Sequence, residues 1–116
     1  MPHYMLRWSF KDTTIKALTE NPQDREQAAR QVIESFGGRL LCYYLSLGEH
    51  DGFCVAEFPD TTSVAAASMR VTGSGAFSRF ETVALLTMAE ARQAMQKVKD
   101  TGTGNYSPPG ERMPGN

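Results

Sequence analysis

Four charged residues stand in stretches that otherwise read as apolar strands: Arg7, Glu57, Arg79 and Glu81. Strict alternation places them together on one face, with Met5, Phe53, Val55, Phe77, Val83 and Leu85 around them. A charge in such surroundings demands a partner, because an isolated buried ion is very costly. Two arrangements meet that demand. One is a structural Arg–Glu network. The other is an anion clamp, with Arg7 or Arg79 holding a carboxylate or enolate and Glu57 or Glu81 serving as base.

His50 and Asp51 form the next candidate, in a polar stretch bounded by Gly48 and Gly52. Imidazole is the side chain whose intrinsic titration suits acid–base work near neutrality, so His50 is a candidate acid or base. Asp51 reads either as a cap for the turn's amides or as a ligand-binding group. Tyr43 and Tyr44 point to opposite sheet faces; Tyr44 groups with Leu40 and Cys42 and is a candidate ligand contact. Trp8 reads as core. His3, His50 and Asp51 lack metal-ligand spacing, so no metal is expected. Gly73-Ser74-Gly75 precedes a strand rather than a helix and does not form a phosphate loop, so no cofactor is expected either.

The elements that must position these groups are legible from periodicity. Tyr4, Leu6, Trp8 and Phe10 alternate on one face of a first strand. Asp12 caps a short helical turn through Thr13–Leu18. Asn21 then caps a first long helix, with Pro22 at its first position and Asp24 at its third. Ala28, Ala29, Val32, Ile33 and Phe36 give that helix its apolar stripe, and Gly37-Gly38 ends it. Strands are expected over Arg39–Leu47, Phe53–Phe58 and Phe77–Leu86. Asp60 or Thr61 starts a second helix running to Val71. Thr87 and Glu90 form a capping box for a last helix, whose stripe is Met88, Ala91, Met95 and Val98.

Net charge is −1 and the pI about 6.1, so no basic field exists to gather phosphates and nucleic-acid binding is not expected. No window reaches the roughly 18 apolar residues of a membrane span, and no leader pattern opens the chain. Cys42 and Cys54 provide no disulfide framework and read as reduced thiols, which suits a cytoplasmic protein. The 116 residues hold one domain, 1–100, followed by a Gly/Pro-rich flexible tail, 101–116.

The order β-α-β-β-α-β plus a terminal helix is the ferredoxin-like α+β pattern. Apolar residues on both faces of the strands suggest that the second face is covered. The expectation is a homodimer in which two antiparallel sheets pack face to face as a dimeric α/β barrel. Its function is then a small-molecule-binding protein or metal-independent enzyme, using a cavity between sheet and helices for a small anionic or aromatic ligand. The alternative is a non-catalytic ligand-sensing or structural dimerisation module.

The hairpin YLSLGEHDGFCVAEFPD, following a helix that ends in FGG, resembles the GYD-domain family, as does the NPQDREQA opening of the first helix. The resemblance spans about residues 2–98. Gly48, Glu49 and Asp51 follow the family's motif, and His50 stands where tyrosine is common. The resemblance implies the dimeric α/β-barrel fold group, which contains cofactor-free monooxygenases, isomerases and ligand-sensing modules. It implies no particular reaction.

Overall fold

Burial alternates along β1 (His3–Phe10) as its sequence does, with Tyr4, Leu6 and Trp8 buried and the residues between them partly exposed. The computed structural model of the chain describes residues 1–110. They begin two compact units, Met1–Leu85 and a second from Leu86 onward.

In the first unit β1 is followed by α1 (Asp12–Glu20), α2 (Glu26–Ser35), β2 (Arg39–Leu45), β3 (Gly52–Glu57), α3 (Thr61–Thr72) and β4 (Phe77–Leu85). The strands form one antiparallel sheet in the order β2-β3-β1-β4. Ile33 of α2 and Val64 and Ala67 of α3 close over Tyr4, Leu6, Trp8, Leu40, Cys54 and Ala56. This is a two-layer core built on one face of the sheet.

The second unit carries α4 (Met88–Asp100), opened by a complete capping box: Glu90 N donates to the Thr87 hydroxyl and Thr87 N to the Glu90 carboxylate. Residues 101–110 contain no helix or strand, and the rest of the expected tail lies outside the described residues. No described helix is long and apolar enough to cross a membrane.

Local chemistry explains most element ends. The Asp60 carboxylate accepts from Ser63 N at 2.8 Å and starts α3. At the end of α2, Gly37 takes φ +80°, and Gly37 N and Gly38 N donate to the carbonyls of Glu34 and Ile33. That paired closure needs a left-handed residue at the first position, which glycine supplies. The start of α2 differs from expectation. Asn21 closes α1 instead of opening α2, and the Asp24 carboxylate accepts from Glu26 N at 2.8 Å in a local turn, so the helix begins four residues later than Pro22 suggests.

The expected pair of face-to-face sheets in a dimeric α/β barrel is overturned. The structure is an α+β fold with a single open sheet, its edges formed by β2 and β4; the closed barrel is not its architecture, and the homodimer inferred from two packed sheets loses that support. Two bulges account for the misreading. Between Leu40 and Cys42 the register of β2 shifts by one residue, so Leu40 and Tyr43, of opposite parity, both reach the helix side. A second shift beside Ser9 and Phe10 brings Phe77 opposite Phe10, and the pair joins the aromatic cluster around Trp8. Strict alternation assigned Phe77 to the other face and overstated the apolar surface there.

Candidate functional site

Cross-strand register sorts the predicted charged residues into two groups. Arg7 of β1 lies opposite Glu81 of β4, and its Nε and Nη2 donate to Glu81 Oε2 at 3.0 and 2.7 Å. Both bonds fall on one carboxylate oxygen. The other, Oε1, faces His50 Nε2 at 4.0 Å. Arg79, two residues along β4, reaches Glu49 at 3.3 Å and His50 Nδ1 at 3.4 Å. Thus Arg7, Glu81, His50 and Arg79 converge at one end of the open sheet face, with the β2–β3 loop supplying the histidine.

Glu57 sits elsewhere. It pairs with His3 and Arg39 in register, at the far end of β3, and its carboxylate accepts from Arg39 Nη2. The Arg39 hydrogen bond holds the Glu57 carboxyl below its ordinary value, and the Arg7 bonds do the same for Glu81. A carboxylate stabilised in this way is a weaker base. Tyr44 stacks on Phe53 across the strand pair, with ring centroids 5.6 Å apart, and is 59% exposed.

Asp51 has a backbone partner. Its Oδ2 accepts from Phe10 N at 2.8 Å, while Asp51 N donates to Trp8 O. The residue therefore fastens the β2–β3 loop to the bulged end of β1. Ser46 Oγ donates to His50 O and fixes the loop from inside.

The concave space lies on the opposite side of the sheet, under the helices. A cleft of about 410 Å³ is walled by Phe10 and Phe77 from the sheet, Ala17 from α1, Ala29 and Val32 from α2, and Val71 from α3. An inner chamber of about 70 Å³ shares Val32, Tyr43 and Phe77 with it and is lined also by Trp8, Phe80 and Cys54, and an outer groove of about 620 Å³ runs past Leu18, Leu45 and Asp51. Tyr43 lines all three. Burial pushes its hydroxyl up to about 12. The Trp8 Nε1 is buried with no hydrogen-bond partner among the described residues. Arg25 and Arg70 stand on the cleft walls. Arg25 donates to Gln23 at 2.9 Å, and the Arg70 guanidinium lies 5.4 Å from the Phe36 ring centroid.

Of the candidate site residues Arg7, Tyr44, His50, Asp51, Glu57, Arg79 and Glu81, only Asp51 lines one of these spaces. Tyr43, Trp8, Arg25 and Arg70 were missed as a set. Their sequence signal is weak, because a β-bulge and a delayed helix start bring them together and neither has a residue signature here. No group of three or more His, Cys, Asp or Glu residues able to hold a metal occurs among the described residues.

An open antiparallel sheet, helices over one face and a cleft between the layers define a small two-layer α+β domain. The chain belongs to the GYD-domain family, whose model matches residues 4–95. No curated protein matches it.

Proposed function

We propose that this GYD-domain chain is a small-molecule-binding protein whose ligand occupies the cleft between the sheet and α1–α3. One observation carries the reading: a space of about 410 Å³ with largely apolar walls and a few polar groups. Small-molecule sites typically have this composition and roughly 300–1,000 Å³ of volume. The neutral dye N-phenyl-1-naphthylamine tests the reading through its fluorescence gain on entering an apolar site. Saturable binding of one dye per chain is expected. Ala17→Phe and Ala29→Leu, which add bulk from α1 and α2 into the cleft, should each abolish it while circular dichroism is unchanged. Undiminished binding in both variants, or none in the parent protein, overturns the reading.

A second reading concerns the open face and a metal-independent reaction. Because Arg7 engages only Oε2, Glu81 Oε1 remains for His50, and Arg79 stands beside both. Such a trio suits proton transfer to or from a small anion held by Arg79. Acetate titrated into isotopically labelled protein should shift the Arg79 and His50 side-chain signals together, and Arg79→Met should remove the effect. Shifts confined to other residues would reject it.

A further inference from the structure

The strongest polar groups on the walls of the cleft and of the smaller chamber beside it are donors, while Thr14, Gln23 and Ser74 add groups that can also accept. Tyr43 contributes a hydroxyl that makes no hydrogen bond to another described residue, and Trp8 an indole N–H in the same condition. Arg25 engages only Gln23 among the described residues, leaving most of its five N–H groups for other partners. It lies close enough to Tyr43 to act electrostatically on that hydroxyl, more strongly than Asp24 or Glu26, which act on it in the opposite sense. The about 410 Å³ cleft carries two guanidinium groups, Arg25 and Arg70, and no carboxylate on its walls. Acidic residues appear only in the neighbouring groove, and each is engaged there. Asp51 accepts from Phe10 N, Asp24 from Glu26 N, and Glu26 pairs with Arg30 at 3.3 Å.

Shape adds to charge. Phe10 and Phe77 stack at 5.6 Å with 21° between their planes, and Trp8 and Phe80 stack at 6.3 Å with 12°. Flat rings are the surfaces that planar ligands cover best, through offset stacking or edge contacts. A cation would meet two arginines and no carboxylate on these walls. An acceptor bearing negative charge suits the two guanidinium groups and the Tyr43 hydroxyl together.

We infer that the cleft takes a planar aromatic carboxylate, with its rings against Phe10, Phe77 and Val32 and its carboxylate at the Tyr43 hydroxyl and the Arg25 guanidinium. This rests on the cleft being the ligand site. Ligand selection then falls to residues outside the glycine-histidine-aspartate stretch that marks the family resemblance.

The test uses the full chain loaded with N-phenyl-1-naphthylamine and three competitors of similar size: 2-naphthoate, 2-naphthamide and 2-naphthylmethylammonium. Naphthoate should displace the dye at about tenfold lower concentration than the amide, with the ammonium weaker still. Arg25→Gln and Tyr43→Phe should each remove most of that advantage, weakening the amide's competition far less than the naphthoate's. The sole tryptophan of the chain, Trp8, reports location, because naphthoate in the cleft should alter its emission. Absence of dye binding overturns the cleft as a site, and this assignment with it. Dye binding with equal competition by all three compounds, or naphthoate preference that survives both variants, overturns the assignment alone.

Discussion

Gly52 lies against the indole of Trp8. The two residues face each other across β1 and β3, and a Cβ added to Gly52 would stand 2.7 Å from Cζ2 and 2.9 Å from Nε1. The ring occupies the space that a side chain on β3 would need, which lets it reach across to Tyr43, 5.3 Å away between centroids. Gly52→Ala must therefore displace the indole or spread the strands. Overpacking of this kind costs about 1–3 kcal/mol. Urea unfolding followed by tryptophan emission should show that loss, together with an altered native emission maximum. An unchanged midpoint would mean the indole has room to move.

Asp51 holds the same corner by a different means. Its carboxylate accepts from Phe10 N at the point where the β1–β4 register shifts, a position at which the ladder no longer supplies a regular partner. Asp51→Ala leaves that amide unpaired at a half-buried site and should cost about 1–3 kcal/mol. Asp51→Asn keeps a carbonyl acceptor and should cost less. Amide exchange measured at Phe10 distinguishes the two, with faster exchange expected in the alanine variant.

The elements were readable because their signals are local. Alternation in Tyr4–Phe10, the Asp60 cap, the Gly37 closure and the Thr87–Glu90 box each involve residues within a few positions of one another. The Arg7–Glu81 pair was also accessible, once antiparallel pairing of first and last strands was assumed. Faces beyond a bulge were not. A one-residue slip at Leu41 reverses the parity of the rest of β2, and no residue type in RLLCYYL announces it. Tyr43 consequently reads as an ambiguous strand residue in sequence and as the common wall of three cavities in space. Similarly, Asn21-Pro22 has the form of a helix start, yet α1 continues to Glu20 and uses Asn21 as its end.

Acid should weaken the open-face ion pairs in a defined order of events. Arg7 holds Glu81, and Arg39 holds Glu57, below the ordinary carboxyl value of 4.5. A group whose folded value is depressed adds stability that is fully present above its unfolded value and is lost as pH falls through the folded value. Thermal midpoints should thus be insensitive to these pairs above about pH 5.5 and should fall on acidification below 4.5. Both pairs are solvent-accessible, so the effect is modest and diminishes in salt. In the double variant Glu57→Gln, Glu81→Gln the acid limb should flatten. An acid limb as steep as the parent's would assign it to other carboxylates.

The two thiols should differ sharply in reactivity, because the register of β2 on β3 sends them to opposite faces. Cys42 lies opposite Val55 and is partly exposed, whereas Cys54 lies opposite Tyr43 and Leu6 and is 2% exposed within the core. Burial pushes the Cys54 thiol up to about 12, with the neighbouring Cys42 adding to the rise and a backbone hydrogen bond at Leu6 offsetting only part of it. At pH 8 such a group is thiolate about one part in ten thousand, and the thiolate is the attacking species. Opposed faces also deny the pair the converging Cβ geometry of a disulfide. Native protein treated with a thiol-reactive chromogen should release one equivalent quickly, and the second only on unfolding. Cys42→Ser should abolish the fast phase, and Cys54→Ser should leave it intact. Since Cys54 lines the inner chamber, an occupant of the cleft should slow its labelling further without altering that of Cys42. Equal native rates for both thiols would show that the core opens often enough to expose Cys54, and would contradict the packing of Phe58, Ala56 and Ile33 in the cluster that contains it.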